Sequence, residues 1–493
     1  MYHLRTTKTK SGATALQIVY YKDNKKYIQK HIGSAHSEEE LISLKQIAYE
    51  WIEENSDQMP LFPLKNDQSS RFVDLSKVRN VGHRYTFAYD ILSNLLQKFR
   101  FTELDSKILL NLVIIRIIEP TSKRESLKLL YEFFDIKHNR IQYYRSIPTI
   151  LEWKEDIEKK VTKIAQKHFS FDFSIVFYDV TTLYFESFTP DELRKNGISK
   201  DYKSNQPQIL VGLVVTRDGF PVSFDVFEGN TFEGNTFIPV ISKFQSTHKI
   251  KTFTVVADAA MISLKNVTEL SANNLSYIVG ARVANLSRDM IEKISLLLAK
   301  VDGRTIRLQT KTGTLICSFS LKRYRKDKRE MEKQILKAEQ SIKNNKAKGM
   351  KFVKRIDKKG RVLNTTLIEK TKLLLGIKGY YTNLDQESDE VIINHYHDLW
   401  HVEKSFRIAK SDLLTRPVYH HTKEAIEAHI LICFMALSIC KYMELKTDKS
   451  TKQIVKLFKS ITDAVVLNKV TGEKMIIPHE KTSETKDLWI SLS

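Results

Sequence analysis

The sequence predicts an α/β fold: a mixed sheet with flanking helices, preceded by a helical domain and interrupted by a basic, strand-containing segment. Three observations carry this. Between 171 and 282, dense apolar runs separated by turns give a meander of three strands, then helix, strand, helix and strand. From about 83 to 168 the apolar residues recur at helical spacing. The window 321–372 holds 19 Lys and Arg against 6 Asp and Glu, net +13 of the chain's +21.

The chain has 493 residues, too many for one ordinary core, so three to five lobes are expected. Residues 1–65 form a small unit. ALQIVYYKDNKKYIQKHIG alternates apolar and polar residues around a KDNKK turn, a β-hairpin pattern. Ser37 and the glutamates after it open a helix that runs through Trp51. Residues 55–80, polar and holding Pro60 and Pro63, read as a linker. The domain 66–168 contains FAYDILSNLLQKF, SKILLNLVIIRII, SLKLLYEFF and EWKEDIEKKVTKIAQKHF. Short helices with Lys/Arg-rich connections suit a helix-turn-helix-like DNA-binding domain.

A core of 169–284 and 373–445 follows. FDFSIVFYDVTTLYF reads as a buried strand, and QILVGLVVTRDGFPVSFDVFEGN as two strands joined at Arg217-Asp-Gly-Phe. The echo FEGNT-FEGNT at 227–236 reads as a glycine-punctuated loop. KTFTVVADAAM and LSYIVGARV are the later strands. The segment 285–372 reads as an inserted domain, with hairpin texture in IRLQTKTGTLICSFSL and a long charged helix after it. LLLGIKGYYTN returns to strand texture, and Glu424–Met443 is an apolar core helix. The tail 446–493 holds a short helix and a hairpin turning at Thr471-Gly.

YHDLWHVEKSFRIAK, Tyr396–Lys410, reads as one amphipathic helix. Leu399, Val402, Phe406, Ala409 and Leu413 form its apolar stripe. Tyr396, Glu403 and Lys410 are seven apart, so each returns within about 20° of the last. Arg407 lies one turn beyond Glu403. Docking on a core needs the stripe; it does not need an acid, two cations and a tyrosine beside it.

Charge and cysteines bound the function. A net +21 with a pI of 9.5 favours a polyanionic partner, for which nucleic acid is the default. Cys317, Cys433 and Cys440 are odd in number and lack CxxC spacing, which argues for a reducing compartment without disulfides or a zinc site. MYHLRTTKTKSG has charge but no apolar h-region, and no window holds 18 uninterrupted apolar residues. A cytoplasmic or nucleoid-associated place is expected.

Two strand acids stand out. Asp179 is flanked by apolar residues in IVFYDVTTLYF, and Asp258 ends FTVVADAAM. A carboxylate in a buried strand is costly unless paired or metal-bound. Two such acids on neighbouring strands, with Glu403 on a later helix, would make an oxygen-only site for Mg²⁺ or Mn²⁺. Two ions could activate a hydroxyl and stabilise a leaving 3′-oxygen in phosphoryl transfer. The three carboxylates are then expected within about 8 Å of each other.

YDVTTLYFE, GNTFEGNTF, VADAAM, GYYTN and YHDLWHVEKSFRIAKSDLLTRPVYHHTKEAIEAHI together resemble bacterial insertion-sequence transposases of the DDE type, in the IS4-like superfamily and its IS1634-like group. The resemblance spans about 171–440; the first 165 residues are similar mainly in layout. It implies a ribonuclease-H-like core, with Asp179, Asp258 and Glu403 as catalytic and metal-binding triad. The signature around the glutamate is Tyr, two residues, Arg, three residues, Glu, six residues, Lys. Tyr396, Glu403 and Lys410 fit it, whereas Leu399 stands at the arginine position. Arg407 could supply the missing phosphate contact. DNA-binding roles then fall to Arg407 and Lys410 at phosphate, and to Tyr396 by stacking or hydrogen bonding to a terminal nucleotide. His395, His397 and His401 read as surface or DNA-backbone contacts rather than metal ligands, and His420 and His421 have no assigned role. The implied activity is binding of terminal inverted repeats, cleavage at the element's ends and joining of 3′-hydroxyls to target DNA, in a homodimer assembled on DNA. A DNA-binding protein derived from a transposon and a ribonuclease-H-like nuclease without strand transfer remain alternatives.

Overall fold

The computed structural model describes residues 2–9, 12–23, 25–55, 78–186, 188–197, 205–344, 350–356, 360–469, 471–480 and 482–492. Most of the stretch read as a linker lies outside them.

The N-terminal unit has one strand more than its hairpin pattern. β1 (Tyr2–Lys8), β2 (Thr14–Lys22) and β3 (Lys25–Ala35) make an antiparallel sheet in that order. α1 (Glu38–Asn55) covers it, and Leu16, Ile18, Ile32, Leu44 and Ala48 form a small separate core.

β4 (Val78–Arg84) leads into α2 (Thr86–Lys98), α3 (Lys107–Ile118), α4 (Lys123–Phe134), α5 (Arg140–Glu152) and α6 (Lys154–Phe169). α3 is apolar around most of its circumference, and it is buried on nearly every side. α5 escapes sequence reading because Pro148 lies inside it, where a proline normally argues against a helix.

The main sheet follows. β5 (Ile175–Tyr184), β6 (Gln208–Val215) and β7 (Pro221–Glu228) form the meander. α7 (Glu233–His248), β8 (Thr254–Ala257), α8 (Leu264–Ala272) and β9 (Ser276–Ala281) are the αβαβ part, with β5, β8 and β9 mutually parallel. α7 takes in most of the second FEGNT copy and β7 the start of the first, so only Gly229–Phe232 lies between strand and helix. α9 (Arg288–Leu298) precedes β10 (Thr305–Thr310) and β11 (Gly313–Phe319). α10 (Leu321–Lys343), the short pair β12 (Val353–Arg355) and β13 (Arg361–Leu363), and α11 (Thr365–Leu374) come next, and then β14 (Ile377–Thr382).

The sheet order is β10-β11-β14-β9-β8-β5-β6-β7. The hairpin β10–β11 therefore is not part of a detached insertion. β14 pairs with β9 on one edge and β11 on the other, and so carries the hairpin into the main sheet. The remainder of the basic segment packs as a satellite around Met331, Ala338, Phe352 and Leu375.

α12 (Asp389–His397), α13 (Trp400–Arg407) and a π-turn, Ile408–Asp412, lead to α14 (Lys423–Thr447). α14 is long and apolar enough to cross a membrane, yet 94% of its most apolar window is enclosed by protein. It packs on α3, α5, α6 and β7, so one apolar core runs unbroken from the helical region into the sheet. Each large side chain buried there contributes about 1.5–3 kcal/mol. Cys433 and Cys440 lie inside it, and all three cysteines are free and buried. α15 (Thr451–Ser460) starts with a Ser450/Gln453 capping box. β15 (Asp463–Asn468) and β16 (Lys474–Ile477) complete a sheet with β4, and α16 (Ser483–Leu492) packs on α14.

Candidate active site

Strand alternation sorts the acids. Tyr178 and Val180 face α7, where the Tyr178 hydroxyl meets Thr236 Oγ1 at 2.7 Å. Asp179, Thr181 and Leu183 therefore face the other side, towards α13 and α14. Across the sheet Asp179 lies opposite Leu213, and Leu213 opposite Phe224, whose ring packs on Phe434 of α14. Tyr178 pairs in parallel register with Ala257, so the next step places Asp179 beside Asp258. Strands about 4.8 Å apart bring these two carboxylates together at the end of β8.

The stretch 396–410 is not one continuous helix. Leu399 N–H donates to the Tyr396 carbonyl at 3.2 Å, and Val402 N–H to Leu399 at 3.1 Å, a tight three-residue pattern between α12 and α13. Downstream, Leu413 N–H donates to Ile408 at 2.9 Å, the wide five-residue pattern of the π-turn. Both changes of pitch break the seven-residue face. Tyr396 is buried, Glu403 and Arg407 are exposed, and Lys410 is half-buried. The apolar stripe survives, because Leu399, Val402, Phe406 and Leu413 all remain buried.

The β6–β7 turn anchors α13. Ser405 Oγ donates to the Gly219 carbonyl at 2.7 Å, and Arg217 Nε donates to Asp398 Oδ2 at 2.8 Å. Lys404 pairs with Glu444 of α14 at 3.1 Å. Among the described residues no ion pair joins Glu403 to Arg407, so the ordinary surface pair expected at that spacing is absent.

Tyr396 donates its hydroxyl to Asp258 Oδ1 at 3.2 Å. Its ring meets Tyr380 edge-on at 4.9 Å between centroids, and Lys378 Nζ lies 4.4 Å from its centre. With those neighbours and 8% exposure, the ring offers no face for a base to stack on. Tyr396 instead fixes Asp258. Burial holds its phenol above the usual range, and the charges of Asp258 and Asp179 add to this, so the hydroxyl stays a donor.

Lys378, Tyr380, Gly280 and Arg323 belong to this neighbourhood and were not singled out in the sequence. Lys378 loses basicity through burial and the nearby Arg323, while Asp258 and Glu403 act in the opposite sense. Its ammonium thus feels the charge of both carboxylates. Arg323, in the first turn of α10, lies near Lys378 and pairs with Asp327 at 3.6 Å. Gly280 lies directly opposite Tyr380 on the neighbouring strand. A Cβ there would stand 2.4 Å from the Tyr396 hydroxyl and 3.1 Å from the Ala259 nitrogen. Alternation in GIKGYYT places Lys378 and Tyr380 on one face, but only the β9–β14 pairing shows what that face meets.

Asp179, Asp258 and Glu403 offer oxygen donors alone, the chemistry suited to a hard divalent cation. The two aspartates are brought together. Among the described residues no three acidic, histidine or cysteine side chains stand close enough to hold a metal ion. Of the histidines, His395 and His401 are half-buried, and burial lowers the basicity of both. His397 is exposed.

The family described as "Transposase DDE domain" matches residues 170–439. No curated protein matches the sequence. Among solved structures, the chain aligns with a piggyBac transposase synaptic complex with hairpin DNA at TM-score 0.39 and 9% identity, covering 70% of this chain and 68% of that one. It also aligns with a Mos1 transposase paired-end complex with left transposon end at TM-score 0.16 and 13% identity, covering 48% of this chain and 66% of that one.

Proposed function

The chain belongs to the transposase DDE-domain family, and on that premise we propose that it is the transposase of a bacterial insertion sequence of the IS4-like, IS1634-like type. It binds the element's terminal inverted repeats, cleaves at the ends and joins the 3′-hydroxyls to target DNA, acting as a dimer on DNA in the cytoplasm. The observation that carries this reading is that Asp179 and Asp258 each directly follow the registered pair Tyr178 and Ala257, with the Tyr396 hydroxyl on Asp258.

Asp179 and Asp258 would hold Mg²⁺ or Mn²⁺, two ions in all, with Glu403 completing the set. The ions, when bound, supply Lewis-acid activation of the attacking hydroxyl and charge neutralisation at the leaving oxygen. The protein's own groups do the rest. Tyr396 keeps Asp258 in one orientation. Lys378 places positive charge near Asp258 and Glu403, where a scissile phosphate needs it. Arg407 projects into solvent from α13 and is available to the DNA backbone, and half-buried Lys410 follows it as the second candidate backbone contact.

The test is incubation of the purified chain with labelled DNA carrying the element's ends and Mg²⁺ or Mn²⁺. Joined products are expected. Cutting without joining would favour a nuclease, and binding with neither step would remove the enzymatic reading.

The close approach at Gly280 gives a second expectation. Gly280→Ala should fold but push the Tyr396 hydroxyl off Asp258, lowering cleavage about 10- to 100-fold, the scale of a misplacement near 1 Å. Tyr396→Phe should match it. The double variant should be no worse than either single one, since both remove the same contact. Additive losses would show that Gly280 acts elsewhere.

A further inference from the structure

Between α3, α4, α14 and the segment 414–420 lies a cavity of about 690 Å³ that shares no residue with the three carboxylates. Its inner wall is cationic. Arg116 and Lys123 line it and are only 3% and 5% exposed. Arg116 donates to the Thr121 carbonyl at 2.8 Å and more loosely to Leu413 at 3.5 Å, and its Nε has no partner. Lys123 Nζ lies 3.4 Å from His429 Nδ1. His429 Nε2 is 3.2 Å from the Thr415 carbonyl, so the ring proton belongs there and the Nδ1 lone pair faces the ammonium.

Among the described residues neither Arg116 nor Lys123 is in an ion pair. The acid on the wall, Glu125, pairs instead with Lys128 at 3.4 Å. Two buried cations without an anion are costly, and such sites persist where an anion completes them. Burial, with Arg116 nearby, pulls the Lys123 ammonium well below its ordinary range. Burial and the same two cations push His420 down to about 3, so it adds no charge of its own near neutrality. The first turn of α4, from its Ser122 cap, also lines the cavity and presents the positive end of a twelve-residue helix.

We propose that this cavity is a phosphate-binding site that takes a backbone phosphate of DNA, away from the reacting bond. The assignment to DNA rests on the transposase reading. The rim supports it: Arg124 and Arg416 flank the mouth, and Tyr144 and Tyr419 are 45% and 60% exposed beside them. Cations interleaved with open rings suit a continuing polyanionic strand better than a free ion.

The test uses the full chain, inorganic phosphate at constant ionic strength, and a labelled DNA duplex. Phosphate should raise the melting temperature of the wild type but not of Lys123→Met. That variant should itself be no less stable than wild type, because it removes an uncompensated buried charge. Lys123→Met and the rim variant Arg124→Ala/Arg416→Ala should each bind the duplex about tenfold more weakly, the scale of one lost charged contact. The duplex should also abolish the phosphate-dependent shift. An unchanged phosphate response in Lys123→Met would overturn the site. Phosphate protection that DNA does not displace would overturn the assignment to DNA. Asp258→Asn should keep the full phosphate response. A wild-type chain that cleaves no DNA end but shows that response refutes the transposase reading and leaves the phosphate site standing.

Discussion

Asp258→Asn should lower DNA cleavage by about 10³-fold or more while leaving the affinity for DNA ends unchanged. One group that stabilises charge in a transition state is worth about 10²–10³ in rate, and a metal-holding carboxylate carries at least that much. The substitution is nearly isosteric. Asparagine can still accept from the Tyr396 hydroxyl through its own oxygen, so the contact at 3.2 Å does not require repacking. What is lost is the negative charge beside Asp179. The phenol provides an independent readout. Asp258's charge contributes to holding Tyr396 protonated, so the variant's phenol should titrate at lower pH in alkaline difference spectra. It should remain above the ordinary tyrosine value, because burial is the leading cause. Wild-type cleavage by the variant would remove Asp258 from the mechanism. A lost rate with an unmoved phenol would place the effect elsewhere than at this pair.

The parts of the fold legible in the sequence are those set by local pattern. The meander, the αβαβ run and the burial of α14 follow from apolar periodicity and from the Arg217-Asp-Gly-Phe turn. Which sheet a strand joins is not a local property. The segment 305–319 has hairpin texture either way, and only the pairing of Leu315 with Tyr381 and of Tyr381 with Val279 brings it into the main sheet. The helix at 396–410 failed for a related reason. Counting in sevens assumes constant pitch, and the pitch changes on both sides of Glu403. At the site, Asp179 and Asp258 could be found because a carboxylate among apolar strand residues is costly wherever it occurs. Lys378 and Gly280 could not be found that way. A lysine at the start of a strand and a glycine inside one are unremarkable until Tyr396 is seen between them. Leu399, at the expected arginine position, is buried in the apolar stripe. A charge there would have no solvent to reach, and the cation near Asp258 and Glu403 is Lys378 instead.

The two glycines of the repeated FEGNT should respond very differently to alanine. Gly229→Ala is expected to cost about 3 kcal/mol or more, in the range of severe core lesions. A Cβ at Gly229 would stand 1.9 Å from the Gln208 carbonyl oxygen and 2.3 Å from that of Lys195. Both are backbone atoms, and neither can swing aside. They belong to a crossing in which Lys195 N–H donates to Gln208 at 3.2 Å, Gln208 N–H to Lys195 at 3.0 Å, and Gly229 N–H to Leu193 at 3.1 Å. Relief of the clash must therefore open the bridge that pins the chain at 193–195 to the edge of the main sheet. Gly234 meets softer neighbours. Its added Cβ would approach the Phe232 ring at 2.8 Å and the Ala260 carbonyl at 3.1 Å. Phe232 is exposed, and position 234 lies in the first turn of α7, where helical backbone accepts alanine. Gly234→Ala should thus fall within about 1 kcal/mol of wild type. Denaturant midpoints of the two variants separate these cases. Equal losses would mean that the repeat, rather than the crossing at Gln208, sets the need for glycine.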